Sequence, residues 1–192
     1  MKQHHLIFEG AELAGKSWLM SQIYDHLEPK YNKSGYLLDG CHWFNCDVGV
    51  YGTKHGKPII KSYLKIFTEL KNSNLLVEKF HWSDIVYNCL YNYKKINYQN
   101  IEKQLRQLGF KIILITLPEN KKIIQDRIKN RLNLYPHYER ILREPDWYIK
   151  QQREYLKEIK KTALPYLIIK TKKLPDNNLV KQIFNWLGEK YN

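Results

Sequence analysis

The sequence predicts an α/β fold built on a five-stranded, mainly parallel sheet with helices on both faces. Three observations predict it. Short apolar runs alternate with segments whose apolar residues recur at helical spacing. A glycine-rich turn follows the first run, and the length of 192 residues suits one domain with one core. Such alternation is typical of parallel strands joined by helices, with ligands at the carboxyl ends of the strands.

Each element of this fold is predicted from a local pattern, in chain order. The apolar runs that predict strands are 4–9, 35–39, 74–78, 110–117 and 166–170. Helical spacing predicts helices after residue 16, over 58–72, 83–95 and 101–108, after Pro118, over 148–159 and over 179–187. An aromatic, glycine-rich loop is expected over 40–57 and a polar stretch over 133–145. No internal repeat is visible, so residues 1–192 are predicted to form a single domain.

The composition predicts a cytoplasmic protein with phosphate-bearing partners and no membrane segment. The net charge of +13 fits nucleotides or nucleic acid, although lysines spread along the whole chain also suit an ordinary solvated surface. No apolar run approaches the ~20 residues that span a bilayer. Five residues after the start could serve as a signal core, which is too few. Cys41, Cys46 and Cys89 are predicted to be reduced thiols rather than zinc ligands.

Residues 10–17 carry the most specific motif of the chain. They read Gly-Ala-Glu-Leu-Ala-Gly-Lys-Ser and fit the phosphate-loop pattern G-x-x-x-x-G-K-[ST], between a predicted strand and a predicted helix. Backbone N–H groups and the helix start can point at the phosphates of ATP, while Lys16 reaches the β and γ oxygens and Ser17 binds Mg²⁺. The predicted phosphate-binding residues are Gly10, Ala11, Glu12, Leu13, Ala14, Gly15, Lys16 and Ser17.

Three blocks of the chain resemble a known family. Residues 6–17 resemble the opening of thymidylate kinases, in which Phe-Glu-Gly leads into the phosphate loop. Residues 78–88, Glu-Lys-Phe-His-Trp-Ser-Asp-Ile-Val-Tyr-Asn, are similar to their Asp-Arg-Tyr-x-x-Ser-x-x-Ala-Tyr-Gln and to the Glu-Arg-Ser block of deoxynucleoside kinases. Residues 127–131, Arg-Ile-Lys-Asn-Arg, resemble the R-x-x-x-R lid of both families. The resemblance implies the P-loop kinase fold, ATP with Mg²⁺, and a lid over about 127–146.

The same blocks supply the candidate site residues. Arg127 and Arg131 are four apart, so they share a helical face and can reach the γ-phosphoryl group when a lid closes. Glu78, at the end of the third predicted strand, is expected to hold the metal with Ser17 or to accept the hydroxyl proton. Asp39, after the second predicted strand, is the rival for the proton. The acceptor-binding residues implied by the resemblance are Lys79, Phe80, Ser83, Tyr87 and Asn88.

Departures from the family pattern leave the acceptor open. Lys79 stands where the families have Arg, and a lysine cannot make the two-pronged contact of a guanidinium. The Arg-Glu-Pro-Gly of thymidylate kinases is absent after the second predicted strand. The predicted function is ATP-dependent phosphorylation of a nucleoside monophosphate, as in thymidylate kinases and in nucleotide biosynthesis. A deoxynucleoside kinase and a polynucleotide 5′-hydroxyl kinase are the alternatives, nucleic acid is the less favoured partner, and a homodimer is open.

Overall fold

The computed structural model describes residues 3–92, 94–172 and 174–191. In these residues the strands are β1 (His5–Glu9), β2 (Cys41–Asn45), β3 (Asn74–Glu78), β4 (Phe110–Thr116) and β5 (Tyr166–Lys170). The α-helices are α1 (Lys16–Tyr31), α2 (Gly56–Glu69), α3 (His81–Asn92), α4 (Gln99–Gln107), α5 (Lys121–Leu134), α6 (Pro145–Glu158) and α7 (Asn177–Leu187). Single turns of 3₁₀-helix occur at Pro136–Tyr138 and Ile159–Lys161. None of the described helices is both long and apolar enough to cross a membrane.

The five strands form one parallel sheet in the order β2-β3-β1-β4-β5. β1 lies in the centre, and Leu6 is aligned with Leu76 of β3 on one side and with Lys111 of β4 on the other. The outer strands pair in parallel with β3 and β4. The predicted α/β fold with a five-stranded parallel sheet is therefore confirmed, and the carboxyl ends of all five strands lie along one edge.

Both faces of the sheet are covered by helices. Successive residues of a strand point to opposite faces, and on β1 Leu6 and Phe8 pack with α1 and α7 while Ile7 packs with α2, α3 and α4. All three side chains are fully buried. Strands buried on both faces are expected to be continuous apolar runs. This explains why the inner strands β1, β3 and β4 are predicted to within one residue. The edge strand β5 is predicted as well, because Tyr166–Lys170 is also a mainly apolar run.

The strand predicted at 35–39 is wrong. Leu38 is 68% exposed, and the segment forms a turn in which the side chains of Asn32 and Ser34 accept backbone N–H groups. The second strand begins only at Cys41, inside the region expected to be a loop. It lies at the edge of the sheet, where only Cys41 is buried and the other four residues are partly or fully exposed. An edge strand of that kind lacks the continuous apolar run that marks the inner strands.

Candidate active site

The phosphate loop joins β1 to α1, and two glycines shape it. Gly10 has φ +132°, and a Cβ there would lie 2.1 Å from the carbonyl oxygen of Ile115 in β4. Gly15 has φ +88° and directly precedes the first residue of α1. A side chain at Gly10 would clash with β4, so glycine is required there for the loop to pack against the sheet. The free N–H groups at the start of α1 are left beside the loop, as an anion site needs.

The ammonium group of Lys16 lies inside this loop. Its Nζ donates hydrogen bonds to the carbonyl oxygens of Gly10 and Ala11, both at 2.9 Å. Burial, followed by the charge of Lys79, lowers the pKa of Lys16 to about 8 against the opposing effect of nearby carboxylates. Both loop contacts are to neutral oxygens, which charged phosphate oxygens can replace with stronger hydrogen bonds. The geometry therefore suits a lysine that transfers its contacts to a bound triphosphate.

Ser17 and Glu78 form the part of the site that fits a magnesium ion. The Ser17 hydroxyl donates to Oε1 of Glu78 at 2.8 Å, which joins the start of α1 to the end of β3. Hydroxyl and carboxylate oxygens are hard ligands, and Mg²⁺ is commonly held by one or two protein oxygens together with phosphates and water. Among the described residues no group of three or more His, Cys, Asp or Glu side chains could hold a metal. A magnesium ion here would complete its shell with the nucleotide.

A second group of charged residues lies next to the phosphate loop. Nζ of Lys79 is 2.5 Å from Oδ2 of Asp47 and 3.6 Å from Oε1 of Glu12. The Tyr87 hydroxyl donates to the same Glu12 oxygen at 2.7 Å. We call Glu12, Asp47, Lys79 and Tyr87 the carboxylate–lysine cluster. It brings one residue of the phosphate loop together with residues that follow β2 and β3.

The ion pair of Lys79 and Asp47 is charged at neutral pH. Burial alone would lower the pKa of Lys79, but the charges of Glu12 and Asp47 outweigh it and the pKa is raised. Burial likewise works to raise the pKa of Asp47, but the charge and hydrogen bond of Lys79 outweigh it and the pKa is lowered. The cluster therefore holds two carboxylates against one ammonium group.

The backbone of Lys79 is strained, and Glu9 holds the chain there. Lys79 has φ +53°, in the left-handed region that non-glycine residues seldom adopt. Directly after it, Oε1 of Glu9 accepts the N–H groups of Phe80, Trp82 and Ser83 at 2.9, 3.2 and 3.3 Å. These are N–H groups at the start of α3, so the buried Glu9 carboxylate acts as a cap supplied by β1. The strain is thus stabilised next to the cluster.

Asp39 is not brought to the site. It precedes β2 and so lies at the opposite edge of the sheet from the phosphate loop. Its carboxylate accepts the backbone N–H of Lys33 at 2.9 Å. This corrects its prediction as a candidate base, which followed from the misplaced second strand. The acidic residue that follows β2 is Asp47, and sequence reasoning missed it.

Three of the predicted acceptor residues are used inside the protein. Phe80 is fully buried and packs on the ring of Phe67, with centroids 5.4 Å apart. The buried Ser83 hydroxyl contacts the Glu9 carboxylate at 2.6 Å and the Tyr155 hydroxyl at 2.8 Å. Asn88 is also buried and donates to a backbone carbonyl within α3. Ser83 and Asn88 already have hydrogen-bond partners, and Phe80 is covered by its neighbours. This corrects the prediction that these three residues bind the acceptor. Lys79 and Tyr87 are the members that reach the cluster.

The structure separates the two predicted arginines. Nη1 of Arg127 donates to the carbonyl oxygen of Leu13 in the phosphate loop at 2.9 Å. Its Nε and Nη2 are buried without a hydrogen-bond partner, and burial lowers the pKa of the group. Arg131 instead places its guanidinium over the rings of Tyr135 and Tyr138, at 5.6 and 5.3 Å. Arg127 contacts the loop, whereas Arg131 contacts aromatic residues of the segment after α5.

Helix α6 adds residues that sequence reasoning missed. The buried Gln151 accepts the Glu12 N–H at 3.1 Å, and its own Nε2 has no hydrogen-bond partner. Trp147 is stacked with Tyr91 of α3, which is stacked with Tyr87, at centroid distances of 6.3 and 5.6 Å. These residues form a polar and aromatic wall beside the cluster. No motif marks them, because they meet the phosphate loop only through the packing of α3 and α6.

Known proteins match this chain by structure and not by sequence. No family pattern and no curated protein matches it. The YorR protein of Bacillus subtilis in complex with phosphorylated GDP is 16% identical with a TM-score of 0.62, covering 96% of this chain and 95% of that one. Thymidylate kinase from Ehrlichia chaffeensis is 12% identical (0.59; 98% and 100%), and deoxyadenosine kinase from M. mycoides with bound dATP is 15% identical (0.58; 97% and 100%). The chain has the P-loop kinase fold.

Proposed function

We propose that the protein is a magnesium-dependent kinase that transfers the γ-phosphoryl group of ATP to a hydroxyl group of a nucleoside-like acceptor. The observation that carries the proposal is the carboxylate–lysine cluster placed directly beside a complete phosphate loop. Phosphoryl transfer needs two substrates held in line and the moving charge neutralised, and these two neighbouring groups are suited to those tasks. The shared fold with thymidylate and deoxyadenosine kinases supports the same class of reaction.

The donor half of the site would use Lys16 and Arg127. Lys16 exchanges its loop carbonyls for β and γ oxygens, where its charge stabilises the transition state. Arg127 already contacts the loop through one nitrogen, and its two unpartnered nitrogens supply further donors for phosphate oxygens. A magnesium ion held by Ser17 and Glu78 would neutralise charge on the β and γ phosphates. Because ATP is the donor, we propose a cytoplasmic location as well.

The charge of the acceptor half favours a nucleoside over a monophosphate. The cluster holds two carboxylates and one lysine, whereas a phosphate monoester carries a charge of about −1.5 to −2 at pH 7. A monophosphate would be repelled unless Lys79 left Asp47. A neutral hydroxyl can instead donate a hydrogen bond to Asp47, which would accept its proton as the phosphoryl group arrives.

A nucleoside monophosphate is the second candidate acceptor. Lys79 is a cation beside the phosphate loop that could pair with an acceptor phosphate. In that case Asp47 would release Lys79 when the acceptor binds. The sequence resemblance to thymidylate kinases favours this candidate, and the observed ion pair favours the nucleoside.

The experiment that tests the proposal compares a panel of different acceptors. ATP turnover is measured with nucleosides, with the matching monophosphates and with short 5′-hydroxyl oligonucleotides, and the Lys16→Ala variant serves as the control for contaminating kinases. We expect kcat/KM at least about tenfold higher for a nucleoside than for its monophosphate, since the charge penalty exceeds about 1.4 kcal/mol. A preference for the monophosphate would establish the second candidate. No turnover with any acceptor would contradict a kinase.

A further inference from the structure

A cleft of about 630 Å³ lies between α2 and α4 and shares no lining residue with the candidate active site. Its volume is within the range of small-molecule sites. Three lysines and four amides supply most of its polar groups: Lys57, Lys61, Lys65, Asn97, Gln99, Asn100 and Gln104. The donor groups are therefore concentrated on one wall of α2 and on the start of α4.

The three lysines form a row along α2. They are four residues apart, so they share one face of the helix and are spaced by about 6 Å of helical rise. Neither Lys61 nor Lys65 has a hydrogen-bond or ion-pair partner among the described residues, and both are exposed. Lys57 donates to the carbonyl oxygen of Asn97 at 3.3 Å. Two of the three ammonium groups are thus free to bind an anion.

None of the described residues that line the cleft is a carboxylate, and Glu69, one turn beyond Lys65 on the same face of α2, lies outside the lining. The acidic residue in the first turn of α4, Glu102, accepts hydrogen bonds from Trp82 and Thr162 at 3.2 and 2.8 Å. Its charge is used on the other side of the helix. The amide side chains of the cleft add hydrogen-bond donors to the lysines. A row of like charges in a cleft whose described lining holds no carboxylate raises the local concentration of an anion.

The aromatic lining shows which kind of anion fits. Tyr98 is the aromatic residue of the cleft, and only 4% of it is exposed. Its hydroxyl donates to Asp84 at 2.6 Å, and Nζ of Lys57 lies over its ring at 5.7 Å. Single-stranded nucleic acid is usually held by free aromatic rings on which bases stack. A covered ring beside a lysine row favours a ligand that presents phosphates alone.

We propose that the cleft between α2 and α4 is a second anion site that binds a chain of linked phosphates. The row of lysines follows the chain, and the amides of Asn100 and Gln104 bind its oxygens. The ligand is either inorganic oligophosphate or the triphosphate of a nucleotide. The proposal is independent of phosphoryl transfer, because none of these residues belongs to the active site.

The first probe is inorganic tripolyphosphate. Its binding to the whole chain is monitored through the backbone amide signals in a nuclear magnetic resonance titration. Signals of 57–65 and 99–104 report on the cleft, and signals of 10–17 report on the phosphate loop. In the double variant Lys61→Gln, Lys65→Gln we expect the dissociation constant at the cleft to rise at least about tenfold, because two charge-assisted contacts are lost. The matched control is the double variant Lys160→Gln, Lys181→Gln, which removes the same charge from exposed positions elsewhere. It should change the dissociation constant at the cleft by less than about twofold.

A parallel titration with ATP distinguishes inorganic oligophosphate from the triphosphate of a nucleotide as the ligand. Equal affinity for ATP and tripolyphosphate at the cleft supports recognition of the phosphate chain alone, and tighter binding of ATP supports a nucleotide as the natural ligand. Signals that move only in 10–17, or cleft binding that survives the double variant, would overturn the proposal. Tighter binding of a single-stranded oligonucleotide at the cleft than of either probe would overturn it in favour of nucleic acid.

Discussion

At the scale of single residues, the position of an aspartate relative to β2 decides its possible chemistry. Asp39 precedes the strand and Asp47 follows it, so they lie at opposite edges of the sheet. Only the later residue contacts Lys79. In a parallel α/β sheet the ligand site lies at the carboxyl edge. The two aspartates therefore form a natural pair of test and control.

The substitution Asp47→Asn should reduce turnover by about a hundredfold or more, because the amide cannot accept the acceptor proton. Asp39→Asn removes the same charge at the other edge and should change turnover less than about twofold. Steady-state kcat with the best acceptor is the measurement. Equal effects of the two variants would show that Asp47 contributes only its charge.

The lowered pKa of Lys16 predicts a pH dependence of donor use. The protonated lysine binds phosphates, and in the free protein it loses its proton as pH rises through about 8. We expect kcat/KM for ATP, which reports groups of the free enzyme, to fall above that pH. The fall should move to higher pH in Lys79→Gln, since the charge of Lys79 contributes to the lowered pKa. A profile that stays flat to pH 10 would contradict this assignment.

At the scale of elements, β1 determines how α3 begins. The Glu9 carboxylate accepts three backbone N–H groups of α3 and the Ser83 hydroxyl. All of these groups are buried, so none can turn to water instead. The cap joins the strand that leads into the phosphate loop to the helix that carries Tyr87. This link keeps both halves of the candidate site in register.

Removing this cap should destabilise the protein. We expect Glu9→Ala to lower the free energy of unfolding by roughly 2–4 kcal/mol, because several buried donors lose their acceptor. The exposed pair of Glu119 and Arg153 provides the control, and Glu119→Ala should leave stability nearly unchanged. Urea unfolding followed by circular dichroism measures both. A loss no larger than that of the control would show that water replaces the carboxylate.

The segment over 127–146 is proposed to act as a lid. The guanidinium group of Arg131 lies over the rings of Tyr135 and Tyr138. Arg127, in contrast, contacts the phosphate loop. If closure delivers Arg131 to the γ-phosphoryl group, Arg131→Ala should reduce kcat by about tenfold or more and change ATP affinity less. The exposed Arg140 is the matched control, and Arg140→Ala should keep most of the turnover.

Hydrogen exchange provides the second measurement on this segment. Protection over 127–146 should rise when a non-hydrolysable ATP analogue and the acceptor are both bound. Unchanged exchange together with full turnover of Arg131→Ala would mean that this arginine only stabilises the neighbouring aromatic turn.

The elements also show what the sequence could predict. β3 and β5 are predicted to the residue because their apolar runs are bounded by polar residues and turns. The second strand is missed because Tyr36 to Leu38 are apolar but exposed, and a pattern of residue types does not reveal exposure. The phosphate loop is a local motif, so its position between β1 and α1 is predicted from the sequence. Asp47 and Gln151 are not, since they reach it only through tertiary packing.

At the scale of the whole molecule, the net charge of +13 should affect catalysis little. A small acceptor touches only the site, whereas nucleic acid would contact many lysines and release many counter-ions. We therefore expect kcat/KM for the acceptor to change less than about threefold between 50 and 200 mM salt. The measurement is kcat/KM for the best acceptor over this range of salt concentration. A loss of a hundredfold or more, together with tight oligonucleotide binding, would indicate a polynucleotide substrate.

The close packing of Gly10 against the carbonyl group of Ile115 can form only after β4 has been synthesised. β1 leaves the ribosome before β3 and β4, which are its two neighbours in the sheet. At about 5–20 residues per second, roughly 5–20 s pass between the synthesis of residue 10 and that of residue 116. Throughout this interval the apolar segment from Leu6 to Phe8 has no complete sheet to join. Chaperones that hold apolar segments would therefore bind the segment from Leu6 to Phe8 during this interval.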